Sequence, residues 1–120
     1  MTALWVGLAG AAGAMSRYGV AVALDGRGSP WGIAGVNLVG SFVLGVVVEL
    51  GAARRWPDAV AIPVAVGFLG AFTTFSTFSV ETWALVRDDR IATAAAYVGV
   101  SVVGGVALAV AGWALARAVS

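Results

Sequence analysis

An all-helical membrane protein with four transmembrane helices per chain is the fold class this sequence predicts, and three observations predict it. Apolar residues make up 61% of the 120 residues and charged ones only 11%, with a mean hydropathy of +0.98. A water-soluble domain carries about 25% charge, so this chain has too little polar surface to face water all round. The charges gather in three short clusters, "DGRGSP" at 25–30, "RRWPD" at 54–58 and "RDDR" at 87–90. Between the clusters lie four apolar blocks, 3–24, 31–50, 59–85 and 91–115, each close to the about 20 residues a helix needs to cross a bilayer. Helices follow because backbone groups in lipid must be satisfied within their own segment, and the alternation of a barrel strand is absent. The whole of 1–120 reads as one transmembrane domain, with no soluble domain attached.

The first block carries Gly7, Gly10 and Gly13 and ends near Arg17. It has no basic leader and is longer than a signal's apolar region, so it is expected to remain as a span. Gly32, Gly35, Gly40 and Gly45 punctuate the second block, with Asn37 and Ser41 four apart on one helical face. Pro63, Gly67 and Gly70 lead the third into "TTFSTFS" at 73–79. The fourth holds Gly99, Gly104, Gly105 and Gly112, with Tyr97 and Ser101 again four apart. Glycine, 17 of 120 residues, is first of all packing equipment, since helices in lipid associate by close backbone approach at small residues.

Cysteine and histidine are absent, which removes disulfides, thiol nucleophiles, imidazole bases and zinc sites together. No enzyme is expected. A net charge of +1 offers no basic patch for nucleic acid, and the short connections leave no room for a binding module. Function is expected between the helices.

Orientation is set by arginine alone, because the chain has no lysine. With four spans, one side would hold Arg54, Arg55 and Arg117 and the other Arg27, Arg87 and Arg90; counting Arg17 as well makes three against four. The positive-inside rule therefore gives no firm instruction. Either one loop dominates, or copies insert both ways and pair antiparallel.

Residues 73–79 contain Thr73, Thr74, Ser76, Thr77 and Ser79 interleaved with Phe75 and Phe78, and no charge. On a helix at about 100° per residue the two rings fall roughly 60° apart and the hydroxyls fill the remaining arc. A lone intramembrane hydroxyl commonly back-bonds to the carbonyl four residues earlier; five in seven residues point instead to a polar track. Asn37 reads either as interhelical glue or as a donor on that track. The spans hold only Glu49, near a helix end, and Glu81, just past the run, so donors prevail over the carboxylates a cation path would want. Phenyl edges carry positive potential, and rings beside hydroxyls suit a small anion. Gly67 and Gly70 predict a break near Gly70 to Thr73, read either as a flexible kink or as freed carbonyls that could hold a cation on a two-fold axis.

These residues resemble the Fluc (CrcB) fluoride channels over nearly the whole chain. "GAAGAMSRYG" at 10–19, "GVNLVGSFVLG" at 35–45 and "GFLGAFTTFSTFS" at 67–79 look like that family's first, second and third helix motifs, in order. Ile33, Ala71 and Ala11 depart from the pattern, none at a pore position. The resemblance implies an antiparallel, dual-topology homodimer in the bacterial inner membrane, with two pores that pass fluoride passively and exclude chloride. It implies pore roles for Phe75, Phe78 and Asn37, a polar track from Ser76, Thr77, Ser79, Tyr97 and Ser101, an acidic position at Glu81 and a vestibule arginine at Arg17. Ser41, on the Asn37 face, joins the expected pore set. The carbonyls of Gly70 and Thr73 would bind a central structural sodium ion at the dimer interface. The rival readings are a small multidrug exporter, which needs an acid in a first helix that here has none, and a structural subunit, which explains the glycines but not the hydroxyls.

Overall fold

Helix accounts for every regular element among the described residues of the computed structural model, which are 1–25 and 29–120. Helix α1 spans Thr2–Asp25 and α2 Trp31–Ala53. The third apolar block folds in four pieces: α3 (Asp58–Ile62), a π-helical stretch π1 (Pro63–Leu69), the single turn α4 (Gly70–Phe72) and α5 (Phe75–Arg87). The fourth is α6 (Ile91–Gly99), a second π-helical stretch π2 (Val100–Gly104) and α7 (Gly105–Val119). Three runs, Trp31–Ala53, Asp58–Arg87 and Ile91–Val119, are long and apolar enough to cross a membrane. Helix α1 matches them in length at 24 residues, but Ser16, Arg17 and Tyr18 dilute its apolar run. Arg27, counted above in the first loop, lies outside the described residues.

Two of the connections are tight reversals with the same chemistry. Beyond α2, Trp56 N–H donates to the Gly51 carbonyl (2.9 Å) and Arg55 N–H to that of Ala52 (3.3 Å). Beyond α5, Arg90 N–H donates to Leu85 (2.8 Å) and Asp89 N–H to Val86 (3.1 Å). Each is a Schellman motif, which satisfies carbonyls the helix end leaves over. The motif needs one left-handed residue, and both times it is not glycine: Arg55 has φ 51° and Asp89 φ 55°.

Small residues let the helices meet backbone to backbone. Helix α2 packs along α7, and α1 along π1. A methyl placed on Gly45 would stand 2.1 Å from the Ala109 carbonyl oxygen, and one on Gly112 2.1 Å from that of Phe42. Gly13 faces the Phe68 carbonyl in the same way, at 2.2 Å. These contacts permit the close approach on which dispersion between helices in lipid depends. A small core of Ala34, Leu85, Ala94 and Tyr97, with Phe78 against it, joins α2, α5 and α6. The chain forms a slab of 49 × 32 × 20 Å, long enough for a bilayer of about 40–45 Å with its headgroup regions.

The third block is broken, but later than glycine content alone suggests. Gly70 is helical (φ −64°, ψ −33°), whereas Thr73 (φ −84°, ψ 155°) and Thr74 (φ −150°, ψ 116°) are extended. The expected single helix through 73–79 is therefore corrected: two hydroxyl residues form the break, and the helix restarts at Phe75.

Candidate functional site

The break is held by a residue far away in sequence. Asn37, on α2, accepts from Thr74 N–H through Oδ1 (2.8 Å) and donates through Nδ2 to the Thr74 carbonyl (3.2 Å). Thr74 can stand there because its own hydroxyl caps α5, accepting from Thr77 N–H at 3.3 Å, the usual service of a threonine at a helix start. Gly40, one turn beyond Asn37, admits Thr73: an added Cβ would lie 2.3 Å from Thr73 Cγ2.

These elements enclose a cavity of about 250 Å³ lined by Asn37, Ser41, Thr73, Thr74, Phe75, Phe78 and Ser101, with Gly40, Leu44 and Val102 completing it. Its polar groups are amide and hydroxyls, and no lining residue carries a charge. The Phe75 and Phe78 rings stand 5.7 Å apart at 42°, and Phe75 is 79% exposed, so the cavity wall it forms is open on one side. Ser101 Oγ is buried without a hydrogen-bond partner, a donor left over for whatever enters.

Of the sequence-predicted residues, Asn37, Ser41, Phe75, Phe78 and Ser101 come together here, with Thr73. The others do not line it. Ser79 Oγ back-bonds to the Phe75 carbonyl at 2.9 Å. Ser76 Oγ lies 3.2 Å from Thr74 Oγ1, which also donates to Thr77 Oγ1 at 3.2 Å. Tyr97 is wholly buried, its ring 5.3 Å from Phe78 and its hydroxyl donating to Glu81 Oε2 at 2.6 Å. Tyr97 and Ser101 divide between two surroundings, Ser101 lining the cavity and Tyr97 buried in the core beside it. Arg17 lines a separate cavity of about 250 Å³ with Ala14, Tyr18, Ala21 and Ile33, and its Nε is buried without a partner.

From the sequence Thr74 reads only as one of five track hydroxyls; its role as the cap of α5 was missed, although the cap preference of threonine three residues before Thr77 could have marked it. Leu44 and Val102 carry no sequence signal of their own.

The backbone at the break also has carbonyls to spare. In a continuous helix the Gly70 carbonyl would accept from Thr74 N–H and the Thr73 carbonyl from Thr77 N–H. Here the first of those donors goes to Asn37 and the second to Thr74 Oγ1. Carbonyl oxygens are ligands of the kind hard cations take.

Residues 4–113 match the family described as CrcB-like protein, Camphor Resistance (CrcB). The fluoride-specific ion channel FluC of Bordetella pertussis is 42% identical over 113 residues, covering 93% of this chain and 88% of its own. That of Solidesulfovibrio magneticus is 44% identical over 117 residues, with 94% of each chain covered. That of Magnetococcus marinus reaches 48% over 92 residues, 73% of this chain and 75% of its own.

Proposed function

The chain belongs to the CrcB family, and on that premise we propose that it is a fluoride-specific ion channel, a transporter and not an enzyme, with the cavity between α2, the break and π2 as part of its ion path. The observation that carries this is the lining. Hydroxyls, one amide and two phenyl rings surround a space without a fixed charge, and ring edges and weak donors replace the hydration of a small anion in steps. Asn37, Phe75, Phe78, Ser41 and Ser101 are its contacts in this reading. Arg17, in its own cavity, would draw anions toward an entrance; Ser76, Thr77, Ser79, Tyr97 and Glu81 would shape the route beyond the rings.

The working unit we propose is an antiparallel homodimer of four-span chains in the inner membrane of a bacterium, with two pores. Balanced arginines support dual topology, and the exposed Phe75 on an open cavity wall supports closure by a second copy. The released carbonyls of Gly70 and Thr73 would hold a structural sodium ion between the copies. What such an ion supplies is a fixed positive charge at the junction, offsetting carbonyls that lipid would leave unpaired.

Fluoride efflux from liposomes of purified protein, loaded with potassium fluoride and triggered by a potassium ionophore, tests the function against a matched chloride control. Rapid fluoride release without chloride release is expected; folded protein that releases neither overturns the channel reading. For topology, the chain's lack of cysteine allows a single Ser120→Cys label, expected to be reachable from each side of the membrane in about half the copies. Reaction from one side alone refutes dual insertion. Sodium is tested by exchange into N-methylglucamine buffer, which is expected to loosen the dimer; a dimer indifferent to it argues against the ion.

A further inference from the structure

We infer that Asn37 is a positioning residue: by holding the Thr74 backbone with both ends of its amide it fixes where α5 begins, and so how Phe75 and Phe78 stand at the cavity. The inference deepens the channel reading and rests on it for the flux comparison alone.

Thr74 N–H can only donate and its carbonyl can only accept, so the two bonds at 2.8 and 3.2 Å fix which end of the Asn37 amide faces which group. An asparagine side chain is itself a primary amide, and here it does for Thr74 what a neighbouring strand would do, across 37 residues of sequence. Two nearer groups are already engaged. Thr73 N–H is taken up by the Leu69 carbonyl at 3.0 Å, and the Thr74 hydroxyl is engaged with Thr77 N–H. Without Asn37, an extended residue inside an apolar span would have an unpaired N–H, and the cheapest remedy is for Thr74 to rejoin a helix.

That remedy would move the rings. Phe75 is the first residue of α5 and Phe78 lies one turn on, so any slide or rotation of the restart reorients both together. It would also return Thr74 N–H to the Gly70 carbonyl, one of the oxygens the break sets free. The amide has a second Nδ2 hydrogen, which these bonds leave over on the cavity wall. Holding the break therefore takes up half of its bonding capacity, one donor and one acceptor position.

Two measurements on N37A test this. The first is amide hydrogen exchange at Thr74 in the detergent-purified full chain; it needs no ion flux and stands whether or not the protein conducts fluoride. Exchange at least tenfold faster than in the wild-type chain is expected. The second is a double-mutant cycle in the efflux assay. If Asn37 acts through the rings, N37A lowers flux at least tenfold in the wild-type background but no more than about threefold in F75I, whereas a side chain that only touches the ion gives factors that multiply. N37S keeps a hydroxyl on the wall but is too short to reach Thr74, and it carries the same expectations should N37A fail to assemble. Wild-type protection of Thr74 in either variant, or fully multiplicative flux factors, overturns the inference.

Discussion

Substituting Gly40 by alanine should damage stability and transport together, and the size of the damage can be worked from the geometry. The new methyl would stand 2.3 Å from Thr73 Cγ2 and 3.2 Å from Phe72 Cδ1. Real Cβ contacts essentially never fall under 3.0 Å, so Thr73 must yield by the difference, 3.0 − 2.3 = 0.7 Å. Rotating Thr73 about χ1 would clear the methyl but break the bond from Oγ1 to the Leu69 carbonyl, 3.0 Å long, worth about 1 kcal/mol. Moving the backbone instead strains the break that Asn37 holds. Either way the cost falls at about 1–3 kcal/mol, the usual range for overpacking. Because Thr73 lines the cavity, the same displacement should slow fluoride efflux about tenfold, on the scale by which sub-ångström misplacement degrades a preorganised site. Stability is read from unfolding in a denaturing detergent and transport from liposome efflux. Gly35→Ala, on the same helix with nothing within 4 Å inside the chain, is the matched control. A Gly40→Ala protein with both properties at the wild-type level would refute the contact and the reasoning built on it.

Other substitutions probe the frame around the cavity. Gly45→Ala and Gly112→Ala each place a methyl 2.1 Å from a carbonyl oxygen of the facing helix and should destabilise by about 1–3 kcal/mol; the double variant should cost less than the sum, because the first methyl already parts the helices. Additive losses in detergent unfolding would count against a shared crossing. Asp89→Gly removes a left-handed strain of about 1–2 kcal/mol and adds a glycine entropy cost of about 0.5–1 kcal/mol, so unfolding should show a gain of about 0.5 kcal/mol; a loss would mean the Asp89 side chain has a role of its own. Tyr97→Phe deletes the 2.6 Å bond to Glu81 inside the core and should cost about 1–3 kcal/mol, measured in the same way, and an unchanged midpoint would show that bond to be dispensable.

Hydropathy alone was enough to outline the helices. The blocks read as 31–50, 59–85 and 91–115 appear as Trp31–Ala53, Asp58–Arg87 and Ile91–Val119, because runs of apolar residues between charge clusters have few other ways to satisfy their backbone in lipid. The break was legible in kind, through Pro63, Gly67 and Gly70, and in place to the end of the expected range, since Thr73 is extended, but its reach to Thr74 was not. Glycine says where a helix is weak, whereas the extended pair Thr73–Thr74 is chosen by a partner 37 residues away, and no local pattern encodes that. The π-helical turns are illegible for a similar reason. Nothing in "VSVVG" at 100–104 distinguishes a wide turn from a narrow one; packing does. Side chains on α2, where the helix is regular, obeyed their spacing: Asn37 and Ser41 share the cavity as periodicity requires.

The abundance of hydroxyls in 73–79 has two explanations, and they divide by residue. Thr73 Oγ1 bonds to the Leu69 carbonyl, Thr74 Oγ1 caps α5 and Ser79 Oγ returns to the Phe75 carbonyl. Only the Thr74 hydroxyl meets a backbone N–H that the break leaves over, in lipid a saving of several kcal/mol, about 4–8 by hydrocarbon transfer; the other two satisfy themselves on carbonyls of their own helix. What remains for an ion is sparse: the unpartnered Ser101 Oγ, Ser41, the spare hydrogen of Asn37 and two rings. Sparse donors suit a conducting path better than a dense cradle would. An ion held by many charge-assisted bonds enters easily and leaves slowly, and conduction needs sites weak enough to be vacated. A segment that uses most of its hydrogen-bonding capacity on its own backbone thus leaves a cavity that can wet a small anion without trapping it.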